Sequence, residues 1–304
     1  MNDNEPRTGK GIDALKVESK EHDEGKTDIE VKEENLPSRA AAVHEQIRME
    51  GEKELERDWQ ALLWSAVAAG ISMAASLMGK GIFHARLPDD PSRFFIENIG
   101  YTFGFVIVIM ARQQLFTENT VTAVLPVMHR PTPRNVLILS RLWGLVLVGN
   151  LFGTALAALA FIHMPILDDG VRKAFVALAE EVMHNSPTQM FADGILAGWI
   201  IATMVWMLPA AGAAKIWVIV LMVYLMGICN LTHIVAGSAE ILYLVFTGAL
   251  PWQAFFYPFA IPTLAGNIIG GTFIFALLSH VQIRNDLRHA ARAAKKQAGK
   301  AQKP

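Results

Sequence analysis

The chain has 304 residues, 52% of them hydrophobic, and a formal net charge of −1 that averages an acidic head with a basic tail. Its single cysteine, Cys229, excludes an internal disulfide and supplies no metal-ligand spacing. No cofactor, no metal and no nucleic-acid partner are expected.

Residues 1–37 are rich in Asp, Glu and Lys and almost free of aromatic side chains, a poor recipe for a packed core, and are expected to be disordered. Met1 is followed by polar residues, so no signal peptide is expected. Residues 38–58 alternate apolar Ala42, Val43, Ile47 and Leu55 with charged Glu45, Arg48, Glu52 and Glu56. That spacing predicts an amphipathic helix on the inner membrane face or against a partner subunit; a solvated charged helix is the other reading.

From residue 59 to 283 the chain is largely apolar. A bilayer crossing needs roughly 20 mostly apolar residues. The predicted crossings, in chain order, are Trp59–Phe83, Asn98–Met128, Val136–Ile162, Met190–Leu208, Ile216–Phe246 and Phe255–Val281. The short connector His129–Arg134 carries Arg130 and Arg134, Lys53 and Arg57 precede the first crossing, and residues 284–304 form a basic tail. This Lys/Arg bias places both termini in the cytoplasm, while Arg172 and Lys173 fall on an outer loop among Asp168, Asp169, Glu180 and Glu181. The expected fold class is an all-α membrane protein of six transmembrane helices.

The second and fifth crossings are too long for one helix each, and both are interrupted by polar residues: Leu115-Phe116-Thr117-Glu118-Asn119 and Leu231-Thr232-His233. Backbone broken at membrane depth survives only where protein buries it or where it lines a cavity. The third crossing carries Gly149-Asn150-Leu151-Phe152-Gly153-Thr154 and the sixth Gly266-Asn267-Ile268-Ile269-Gly270-Gly271. A repeat of three crossings must enter from the opposite side the second time, so two inverted three-helix repeats are expected, with Leu115 and Leu231 marking equivalent points 116 residues apart (231 − 115).

These residues resemble the formate/nitrite transporter family over about residues 39–285. The Leu115-Phe116-Thr117 break, His233 in the broken fifth span, the glycine-rich third and sixth spans and the charged N-terminal helix carry the likeness. The run Ala111–Thr120 is similar to the divergent YfdC-like branch. The resemblance implies an aquaporin-like fold, a homopentamer with a pore in each subunit, and passage of small monovalent anions such as formate or nitrite across a bacterial-type inner membrane. Carried over by position, Tyr101, Phe105, Leu115 and Phe116 resemble apolar constrictions, with Met226 and Ile201 at lining positions. Thr117 and His233 would face one another across a central chamber. Departures from the family pattern are Gly198 and Gly237 where it has asparagines, Thr232 beside the histidine, and no matching vestibule lysine, for which His184 is the nearest basic residue.

An ionisable group at membrane depth is expensive, and an imidazole can exchange a proton with a weak-acid anion. His233 is therefore expected to relay a proton so that the anion passes the apolar slit as neutral acid. Arg112, Glu118 and Glu240 are extra charges by the path; Arg112 with Glu118 or Glu240 is expected to form an ion pair that pins the broken segments, tuning of selectivity being the other reading. Two other classes compete. A membrane hydrolase could use Ser238 with His233, but the surroundings lack a nucleophile elbow. A non-transporting scaffold with a closed pore is the main alternative.

Overall fold

Six helices start on an Asp, Ser or Thr whose side-chain oxygen accepts a first-turn backbone N–H: Ser38, Asp58, Asp90, Thr132, Asp168 and Ser186. After Asp90, Thr132 and Ser186 a proline takes the first helical position, where no N–H is needed. The helices therefore begin earlier than their apolar stretches do. The computed structural model describes residues 38–286 and 288; the tail expected at 1–37 and nearly all of the tail at 284–304 lie outside the described residues.

The order is α1 (Arg39–Glu56), α2 (Trp59–Arg86), α3 (Pro91–Met110), α4 (Phe116–Asn119), α5 (Val124–His129), α6 (Pro133–His163), α7 (Asp169–Met183), α8 (Pro187–Ala211), α9 (Lys215–Ile228), α10 (Ile234–Phe246) and α11 (Trp252–Asp286). No strand occurs among the described residues. Five stretches are long and apolar enough to cross a membrane: α2, α3, α6, the run Pro187–Ile228 that joins α8 to α9, and α11; α10 is a shorter apolar helix. The stretches expected to be broken are broken, between Met110 and Phe116 and between Ile228 and Ile234.

Close backbone contact frames the two breaks. A Cβ on Gly70 of α2 would overlap the Asn150 carbonyl of α6, and one on Gly153 would overlap the Val67 carbonyl. Likewise a Cβ on Gly270 of α11 would overlap the Ile195 carbonyl of α8. Small residues at such positions let helices meet backbone to backbone.

α1 buries Ala41, Ala42, Val43, His44, Ile47 and Gly51 and packs against α5 and α8. Burial pushes the His44 imidazole down to about 4. On its other face the Arg48 guanidinium bonds Glu45 (Nε to Oε2, 2.8 Å) and holds that carboxyl below its usual range.

The loop expected between the third and fourth crossings contains a fifteen-residue helix, α7, which buries Val171, Ala174, Phe175, Leu178 and Ala179 and packs on α2 and α10. Its Arg172 donates to the carbonyls of Ile162 (2.8 Å) and Met164 (3.1 Å), closing the C-terminal end of α6. The charges expected on an outer loop instead belong to this helix and its cap.

Candidate functional site

The two breaks share one backbone design. Ala111 and Cys229 end their helices, Arg112 (φ 51) and Asn230 (φ 48) take left-handed conformations, and Leu115 and His233 stand extended before the next helix. The amides of Gln113 and Leu231 reach back to the carbonyls of Val108 (3.0 Å) and Met226 (3.1 Å). Equivalent residues are thus 118 apart (230 − 112). The expected register of 116 is corrected: Leu115 matches His233, not Leu231. The shared Leu-x-x letters misled, because register follows the left-handed residue and its hydrogen bonds.

Each break is held by an asparagine from the neighbouring long helix. Asn150 Oδ1 accepts the Phe116 N–H (2.9 Å), while Nδ2 donates to the carbonyls of Gln114 and Ala66 (both 2.8 Å). Asn267 Oδ1 accepts the Ile234 N–H (3.0 Å), while Nδ2 donates to the carbonyls of Gly194 (2.9 Å) and Thr232 (3.2 Å). Both asparagines are fully buried, so each satisfies groups that have no water to turn to. Side-chain hydroxyls tie the breaks further, Thr272 to the Thr120 carbonyl (2.7 Å) and Thr232 to the Met190 carbonyl (2.7 Å).

At the centre, Thr117 Oγ1 and His233 Nε2 lie 2.8 Å apart, both essentially inaccessible. They meet directly rather than across a chamber. His233 also caps α10, its Nδ1 accepting the Ala236 N–H at 3.2 Å. An imidazole that accepts at Nδ1 carries its one proton on Nε2, so the hydrogen-bond partners assign His233 as donor to Thr117. The Phe105 ring stands edge-on to the imidazole at 5.0 Å between centroids, and Tyr101 lies 5.6 Å beyond Phe105.

Two cavities flank this contact. The one under α7, about 110 Å³, is lined by Tyr101, Met226 and His233, with Lys80, Glu181, Asn230 and Glu240 supplying its charge and polarity. The one beside α1, about 930 Å³, is lined by Leu115, Arg112 and Glu118 together with Glu45, Glu50, Lys53 and Glu54 of α1. Phe105 and Thr117 line neither cavity and are fully buried.

The site residues expected from sequence thus separate. Tyr101, Met226 and His233 belong to one cavity and Leu115, Arg112 and Glu118 to the other. Ile201 is buried and lines neither. Phe116 also lines neither; its ring packs edge-on against Trp143 of α6 at 5.9 Å. Among the described residues no ion pair within 4.0 Å joins Arg112 to Glu118 or Glu240. Ser238 donates to the Ile234 carbonyl of its own helix at 2.5 Å, and both nitrogens of His233 have other partners, so the two form no catalytic pair.

Sequence reasoning missed three residues. Lys80 of α2, not the exposed His184, brings the basic group to the α7-side cavity; its signal was a lysine set between Gly79 and Gly81 near the end of an apolar span. Asn150 and Asn267 stood in the repeated Gly-Asn motif, which drew attention to its glycines. Gly198 is a packing residue: a Cβ there would overlap the Asn267 carbonyl, so no side chain could reach a chamber from it. Gly237 faces the Phe259 ring, and both line the α7-side cavity.

Comparison with known proteins identifies the fold and the family. The chain is 63% identical over 285 residues to "Inner membrane protein YfdC" of Escherichia coli (strain K12), covering 94% of this chain and 92% of that one. It is 26% identical over 179 residues to "Uncharacterized transporter YrhG" of Bacillus subtilis (strain 168), covering 58% of this chain and 66% of that one. Its fold is similar to a solved structure described as "Pentameric formate channel with formate bound" (TM-score 0.66, 20% identity, 74% of this chain and 97% of that one). It is similar as well to one described as "FNT family ion channel" (TM-score 0.59, 20% identity, 78% and 94%). The family described as Formate/nitrite transporter matches residues 41–281, and the chain belongs to that family.

Proposed function

We propose that this chain forms a pore for small monovalent anions of weak acids, of the formate and nitrite kind, in a bacterial inner membrane. One observation carries the reading: a buried hydroxyl–imidazole contact joins the two breaks, and residues of those breaks line two different cavities, His233 the one under α7 and Leu115 and Glu118 the one beside α1. A family of channels and transporters, and neighbours described as a pentameric formate channel and an ion channel, support it. The same neighbours support a homopentamer with one pathway per subunit. The 118-residue equivalence of the breaks supports six crossings arranged as two inverted repeats. The basic residues near both ends of the membrane domain support cytoplasmic termini.

In this reading the α10 N-terminus, with its positive dipole end, points toward the centre and favours an anion there. The Phe105 ring and Leu115 make the adjoining stretch apolar, which an ion crosses only by shedding charge or water. His233 can serve in two ways. As a proton relay it would take a proton on Nδ1, and an imidazolium there would release the Ala236 N–H. As a fixed donor it keeps that cap and turns the Thr117 hydroxyl proton toward the passing anion. The cap favours the fixed donor.

Flux of a panel of monovalent weak-acid anions into liposomes tests the function. Wild-type protein should carry several of them well above protein-free vesicles. Flux no greater than that background across the panel would leave the scaffold reading. His233→Asn, which keeps a helix-capping oxygen and an N–H donor, should retain flux and its pH dependence. Loss of the pH dependence with flux intact would restore the relay.

A further inference from the structure

Resting on that reading of the pore, we propose that Glu240 is the group that hands a proton to the anion as it enters from the α7-side cavity. Glu240 lies on α10 and is 6% exposed, yet its side chain lines the same cavity as His233. Among the described residues it accepts no hydrogen bond and makes no ion pair within 4.0 Å, so its carboxyl is free to meet what the cavity holds. His233 is not comparably free, because Nε2 is bonded to Thr117 and Nδ1 to the Ala236 amide.

The charged and titratable groups that share the cavity with Glu240 come from four directions. Lys80 enters from α2, Tyr101 from α3, Glu181 from α7, and His233 from the break itself. α11 contributes only the Phe259 ring. Lys80 draws the anion in, and its positive charge also stabilises the carboxylate left when Glu240 has given up its proton. Tyr101, Met226 and Phe259 make the inner wall apolar, so the anion cannot go deeper without neutralisation.

The step is a proton transfer that balances within the cavity. The Glu240 O–H bond breaks with its electron pair left on the carboxylate. A lone pair on an oxygen of the anion takes the proton, and the permeant becomes a neutral acid. It passes Phe105 and Thr117 in that form, and a hydronium ion from the solution on the α7 side returns a proton to Glu240, leaving water. Extrusion through the same cavity runs these events backward.

The test is the pH profile of flux in liposomes, read with an internal pH dye, for two permeant acids of different strength. In wild type the profile should have the same midpoint for both permeants, since the protein supplies the proton. Glu240→Gln should lower flux near neutral pH by about 100-fold, the usual weight of a positioned acid. The residual flux should then follow each permeant's own acid fraction in bulk water, giving two different midpoints. Glu240→Asp should restore the shared midpoint at reduced flux. If Glu240→Gln keeps the wild-type profile, or if wild type already shows two midpoints, the proposal is wrong and the pore reading stands. If wild type moves no weak acid at all, the pore reading itself fails. Should Glu240→Gln not assemble, the Asp variant and the two-permeant comparison in wild type still decide.

Discussion

The two breaks are made on one backbone pattern and filled differently. Arg112 and Asn230, Leu115 and His233, Asn150 and Asn267 occupy matching places. Beyond the first break the chain makes four residues of helix, a turn and then α5, with Pro126 inside it, and α1 packs on that segment. Beyond the second, α10 runs unbroken for thirteen residues, and α7 packs on it. One break presents a leucine at its turning point and the other an imidazole. A shared scaffold with an apolar occupant on one side and a polar one on the other has two unlike halves, and the asymmetry lies in the side chains, not in the frame.

If that equivalence is real, Asn150→Ala and Asn267→Ala should do equal damage. Each removes three hydrogen bonds from buried backbone groups, and at about 1–3 kcal/mol per orphaned group the loss should be about 3 kcal/mol or more. Thermal unfolding of the detergent-purified protein measures it. One variant melting like wild type while the other fails to assemble would break the symmetry.

The covers over the two halves should differ in their response to acid. His44 sits buried under α1 with its pKa lowered to about 4 by that burial, and its ring stands 5.6 Å from the ring of His280. The undocked form, with an ordinary histidine near 6.5, binds more protons than the docked one. Docking of α1 is therefore complete above about pH 6.5 and weakens as pH falls toward about 4. Hydrogen exchange of α1 should quicken over that window, and His44→Leu should remove the effect. Exchange in α1 independent of pH in the wild-type protein would contradict the assignment.

The smallest effect should come from the two left-handed residues. Arginine is strained there by about 1 kcal/mol, whereas asparagine tolerates the conformation. Because glycine also gains freedom in the unfolded chain, Arg112→Gly should stabilise by only about 0.5 kcal/mol and Asn230→Gly by about zero. Denaturation midpoints that moved by the same amount would show that the two turns carry the same strain after all.

Much of this fold was legible in the sequence because membrane interiors are intolerant. Polar residues such as Thr117 and His233 inside apolar stretches stand out, and a broken helix is the economical explanation. The start of α2 was legible, but those of α3, α6 and α8 were less so, since their first turns are capped by Asp90, Thr132 and Ser186 and do not look apolar. α7 was hidden by its charges, although Val171, Phe175, Leu178 and Val182 repeat at helical spacing. The layout of the candidate site was less legible for a geometric reason. Which way Phe116 turns, or what Asn150 and Asn267 hold, depends on segments brought together from far apart in the chain. Lys80 reaches the cavity only because α2, α7 and α10 converge there.

The glycine contacts of the frame bear on how such a pathway can be re-engineered. Where Gly70 meets Asn150, and Gly198 meets Asn267, not one methyl group fits between two main chains. Those positions are closed to variation for reasons unrelated to the permeant. Retuning what passes must come from the residues that face the cavities, such as Tyr101, Met226 and Leu115, rather than from positions where main chain meets main chain. A library aimed at selectivity should randomise those few places and hold every interhelical glycine constant.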